Sequence, residues 1–77
     1  MTDKISVGGW VVSVTTQCGR ERLAEFYEVA EAAPIGAEHA VSMHIDAMDE
    51  KIEAVERMPR AVLDRLGLRP GEVRKRA

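Results

Sequence analysis

The chain has 77 residues, 45% hydrophobic and 31% charged, with a net charge of −2 and one cysteine. That makes one domain at most, too apolar to be disordered and too small to bury more than about 60% of its unfolded surface. Cys18 alone excludes an internal disulfide framework, apolar runs such as Trp10-Val11-Val12 are far too short to cross a bilayer, and the start of the chain, with Asp3 and Lys4, has no signal-peptide character. A cytoplasmic protein with no membrane contact is expected.

Taken in order, Ile5–Thr16 reads as a strand, being rich in β-branched residues and Trp10. The two-residue period puts Trp10, Val12 and Val14 on one face and Val11, Ser13 and Thr15 on the other. Gly8-Gly9 marks a bend or bulge, so the firm part starts near Trp10. Gln17-Cys18-Gly19-Arg20 suits a hairpin loop. Residues 22–30 fit two patterns. Leu23, Phe26, Tyr27 and Ala30 make a helical stripe, yet Leu23, Tyr27 and Val29 also line one face of a strand. The strand is preferred because the first strand needs a partner.

Ala33-Pro34 breaks that pattern, and a helix follows from Pro34 or just after Gly36, with Ala37, Ala40, Val41, His44, Ile45 and Met48 on its apolar side. Residues 51–58 again fit either a continued helix or a strand with Ile52, Ala54 and Met58 on one face. A third strand is preferred because a bare hairpin is marginal. Pro59–Leu66 is a short helix capped by Gly67, with Leu68 folding back on its end. The expected fold is therefore α+β, in the order ββαβα: a hairpin and third strand covered by one main helix and a short C-terminal one. A single domain spans 1–68, and 69–77 is an exposed, frayed basic tail.

The segments GWVVSV, FYEVAEAAP, AEHAV and EAVERMPRAVLDRLGLRPGEV resemble small α+β proteins of soil and phototrophic proteobacteria. The resemblance covers residues 9–73 and implies a bacterial protein with a strand pair before a helix, and no activity. Leu66–Glu72, LGLRPGE, is also similar to part of swapped-hairpin antitoxin DNA-binding domains, where a strand follows the Pro-Gly turn. Here Val73–Ala77 is expected to be too short and too charged to supply that strand.

Few residues offer chemistry. His39 and His44, five apart, diverge by roughly 140° on a helix and are poor joint ligands. His44 with Met48 is better spaced but lacks further soft donors. Cys18 lies near Arg20 and Arg22 but has no second cysteine and no placed base. No metal, cofactor or catalytic residue is expected.

Charge is the informative feature. Residues 1–56 hold 4 basic and 11 acidic side chains, a balance of −7; residues 57–77 hold 7 basic and 2 acidic ones, a balance of +5. The basic segment either packs on the acidic part of its own chain or a second copy, or serves an acidic partner. Arg69, Arg74, Lys75 and Arg76 are the candidate partner-binding residues. The expected role is a non-enzymatic protein-interaction module, self-associating through sheet edges or helix faces that carry Val11, Val29 or Met43. A nucleic-acid accessory using the basic tail is the alternative, although no aromatic residue interleaves with those cations.

Overall fold

The computed structural model describes residues 7–76. Its elements are β1 (Val7–Cys18), β2 (Glu21–Val29), α1 (Pro34–Ile45), β3 (Lys51–Pro59), α2 (Arg60–Leu66) and β4 (Val73–Lys75). The strands form one antiparallel sheet in the order β3-β1-β2-β4. The expected α+β class, the hairpin, the third strand and both helices are present. Residues 5 and 6 of the expected first strand lie outside the described residues.

The central strand β1 is apolar on both faces, which lets one helix pack on each side. On one side Val12, Val14, Tyr27 and Val29 meet Ala37 and Val41 of α1. On the other, Val11, Ala30 and Met58 meet Leu63 of α2 and the following Leu68. Val11, Val12, Val29 and Val41 are the largest fully buried side chains, each worth roughly 1.5–3 kcal/mol by removal from water. Val11 and Val29, expected to be available for self-association, are thus consumed within the chain.

Helix α2 rests on bare backbone. A Cβ on Gly8 would lie 2.6 Å from Leu63 Cδ1 and 2.7 Å from Arg60 Cα, and one on Gly9 would strike the Val29 carbonyl. The expected irregularity is also here, as a register shift between Val7 and Gly9 opposite β3. At its other end α2 stops at Gly67, whose φ of 75° is left-handed. The Leu68 amide donates to the Leu63 carbonyl at 3.1 Å, which brings the Leu68 side chain back onto the helix.

Several details differ from expectation. The turn shrinks to Gly19-Arg20, because Gln17 and Cys18 extend β1. A second register shift sets Val11 opposite Glu56 but Val12 opposite Ala54, leaving Val55 as an extra residue. That bulge reverses the alternation, so Ile52 and Ala54 face α1 while Met58 faces α2. Helix α1 ends at Ile45, where Asp46 takes a φ of 54°, so Met48 falls beyond the helix and is 91% exposed. The expected frayed tail is instead strand β4 on the edge of β2.

Close packing on glycine makes a sharp test. Gly9→Ala is expected to lower stability by about 2 kcal/mol or more through overpacking against the Val29 carbonyl, read as a shift of the urea midpoint at unchanged slope.

Candidate partner-binding surface

The four basic residues singled out by charge lie along the β4 edge of the sheet or in the turn before it, and the fold assigns most of them to carboxylates of its own. Arg69 precedes the turn at Pro70-Gly71, where Gly71 has a φ of 82°. The Glu72 carboxylate accepts the Arg69 amide at 2.8 Å, and the Glu72 amide donates back to the Arg69 carbonyl at 2.9 Å. The Gly71 amide donates to the Ala30 carbonyl at 2.7 Å and the Ala30 amide to the Glu72 carbonyl at 3.0 Å, locking the turn to the end of β2.

Beyond this turn Val73, Arg74 and Lys75 pair with Val29, Glu28 and Tyr27. The Arg76 amide extends the ladder, donating to the Phe26 carbonyl at 2.7 Å. Val73 packs against the α1-side core. The side chains alternate accordingly. Arg76 Nε donates to Glu28 Oε2 at 3.2 Å, Arg74 Nε lies 3.7 Å from Glu28 Oε1, and Lys75 Nζ lies 2.9 Å from Glu25 Oε2. Glu28 is the buried charged residue among those described. A carboxylate taken out of water is tolerable only when paired and hydrogen-bonded, and two guanidiniums supply that compensation. The basic segment therefore packs on the acidic stretch of its own chain. The strand that the Pro-Gly turn was not expected to support does form, within one chain.

Sequence reasoning missed Phe26. It sits on the α2 side of the sheet opposite Ser13 and remains 41% exposed. Helix α2 has 7 residues and β1 has 12; at about 1.5 Å per helical residue against 3.3 Å per strand residue, such a helix cannot cover the strand. That mismatch of lengths was the available signal. The far half of this face is left open, with a shallow depression of about 320 Å³ bounded by Thr15, Gln17, Arg22, Asp49, Lys51 and Glu53. Arg74 and Arg76 share the face with Phe26, because both reach Glu28, so an aromatic does lie among the cations in space. On the opposite side of the same strand Leu23 is 52% exposed.

The remaining candidates disperse. His39 and His44 are exposed on α1, and the His44 ring, on the apolar side of the helix, makes an edge contact with Tyr27 at 6.1 Å between centroids. Cys18 is exposed at the hairpin end. Among the described residues no three histidine, cysteine or acidic side chains converge as a metal site. A larger cleft of about 540 Å³ lies between α2 and the Pro70-Gly71 turn, floored by Ala30, Leu63 and Leu68 and edged by Glu31, Arg60 and Asp64.

The Glu25 contact holds the Lys75 ammonium above the usual lysine range, through its hydrogen bond first and its charge second. A raised lysine stabilises the fold below its unfolded value and loses that contribution as pH climbs through the folded one. Glu25→Gln is expected to return the Lys75 titration, followed by NMR of its Cε, towards the ordinary value near 10.4, while β4 stays paired. No family model, curated protein or solved structure matches the chain.

Proposed function

We propose that the chain is a non-enzymatic protein-interaction module that engages a partner through the open outer half of the β1–β2 hairpin. The observation that carries this reading is Phe26, one of only three aromatic residues, held 41% exposed on a sheet face its own helices do not cover. Arg76 pairs beside it on the sheet edge, Arg22 and Arg74 share its face, and aromatic residues and arginine are enriched at the centres of protein interfaces.

Self-association through β3 is disfavoured. The bulge at Val55 breaks that edge, and the Ala54 amide, which a pairing strand would need, donates to Glu38 Oε2 of α1 at 2.8 Å. Bulges and covering side chains are the usual means of blunting a sheet edge. A different protein is the fitting partner.

Photocrosslinking tests the reading. With benzoylphenylalanine in place of Phe26, irradiated cells of the source organism should yield a discrete protein adduct. The same group in place of Arg65, on the exposed side of α2, should not. Absence of an adduct from position 26, or equal labelling from both, counts against the module.

A second reading, association with nucleic acid, gains one observation: Phe26 shares its face with Arg22, Arg74 and Arg76. Against it stand the carboxylates of Glu25 and Glu28, which already engage Arg74, Lys75 and Arg76. If phosphates displace them, single-stranded oligonucleotide will be retarded in gels at low salt, less so at moderate salt, and not by the R74A/K75A/R76A variant. No salt-dependent shift of the parent chain ends this reading.

A further inference from the structure

We infer that the outer edge of β2, from Glu21 to Ala24, is an acceptor for an extended strand of a partner protein. This deepens the interaction reading above and rests on it.

The hydrogen-bond pattern singles out this edge. The Arg76 amide donates to Phe26 and the Ala30 amide to Glu72, so even-numbered residues of β2 direct their backbone groups towards β4. The register of β2 with β1 is unbroken from Cys18↔Glu21 to Trp10↔Val29. By alternation, Arg22 and Ala24 also aim an amide and a carbonyl at that outer edge. β4 pairs with Tyr27, Glu28 and Val29, and among the described residues no strand lies beside Glu21–Glu25 on that side. Up to four backbone hydrogen bonds are therefore available directly in line with β4.

The side chains agree. The large exposed apolar residues of β2, Leu23 and Phe26, flank this segment on its two faces, 52% and 41% exposed. A strand laid antiparallel along the edge, about 4.8 Å away, puts one side chain beside Leu23 and the next, opposite Ala24, diagonally beside Phe26. The backbone groups give affinity and the alternating apolar contacts give specificity, as in other strand additions. The charges complete the description. An acidic residue suits the position opposite Arg22, and a basic one the position opposite Glu21.

A second copy of this chain fits poorly. Pairing β2 with itself about Leu23 sets Glu21 of each copy directly opposite Glu25 of the other, and pairing about Arg22 sets two guanidiniums against each other. Like charges directly opposite destabilise a ladder. Centring on Ala24 would drive Arg22 into the place already held by Arg76 on Phe26. The occupant is an apolar-alternating strand of mixed charge from another protein.

Because four residues of strand bind weakly alone, the test tethers them. A peptide reading isoleucine-valine-glutamate-lysine, followed by a glycine-serine linker and a cysteine, is joined by disulfide to the exposed Cys18 of the full chain; its effective concentration is then on the order of millimolar. A control peptide carries N-methyl groups on the isoleucine and glutamate amides, the two that would face the carbonyls of Ala24 and Arg22. Amide exchange read by NMR should slow about tenfold at Arg22 and Ala24 in the first adduct relative to the second, with Ala30, already bonded to Glu72, unchanged in both. Equal exchange at Arg22 and Ala24 in the two adducts overturns the inference. If that happens while position 26 still crosslinks to a protein, strand addition is wrong and the interaction module stands. If neither occurs, both fall.

Discussion

Everything in this fold depends on β1 being burial-competent on both faces at once. A sheet with one wet face would need only alternation, but Trp10-Val11-Val12 presents apolar groups consecutively, and Val11 and Val12 enter opposite cores. A 77-residue chain cannot build one thick core, so it builds two thin ones that share a strand. The second is thin enough that its helix touches backbone, with Gly8 and Gly9 where Leu63 and Arg60 of α2 come against β1. Any side chain there would lift α2 off Val11 and Met58 and open that face to water.

The charge asymmetry along the chain is settled in space by the same economy. β2 is acidic at Glu21, Glu25 and Glu28, and β4 brings Arg74, Lys75 and Arg76 alongside. Exposed ion pairs contribute little because water and salt screen them, so Lys75 with Glu25 does not by itself hold β4 in place. Burial of Val73, the ladder to Phe26 and Ala30, and above all the two guanidiniums on the desolvated Glu28 do more. Replacing both arginines by apolar side chains while the strand stays paired would leave Glu28 buried without its counterions, the costly state for an ion.

How far the sequence discloses this is uneven, and for physical reasons. The hairpin, the helix at Pro34, the cap at Gly67 and the return of Leu68 follow from local chemistry: β-branched runs, a proline with preset φ, a glycine able to turn left-handed. The frayed tail was misread because Val73-Arg74-Lys75 has no strand pattern of its own; its strand exists only because Glu28 and Val29 lie opposite. Met58 was placed on the wrong face because the extra residue, Val55, follows from packing on both sides of the sheet rather than from propensity. At Phe26 an aromatic side chain stays exposed because of the shortness of a helix thirty-four positions further on. Residues whose state is set by distant lengths and registers are the ones a local reading cannot place.

That same logic separates the two edges of the sheet. An edge strand left unguarded invites uncontrolled pairing, and β3 is guarded three ways: a bulge at Val55, the Glu38 carboxylate on the Ala54 amide, and charged side chains at Lys51, Glu53, Glu56 and Arg57. The β2 edge is treated differently along its length. Where it borders the core, from Tyr27 to Val29, β4 covers it; towards the hairpin tip the register with β1 continues without a bulge, and among the described residues no strand pairs there, although Glu21, Arg22 and Glu25 give that part its own charges. Leu23 and Phe26 stand exposed on this unpaired part, although a polar residue at either site would cost the core little, since neither belongs to either buried cluster. Exposed apolar side chains beside open backbone groups are a liability for a chain that only needs to stay folded. They become useful when a specific strand is to be received there, and it is this pairing of features, rather than the basic segment, that points to where the molecule meets its partner.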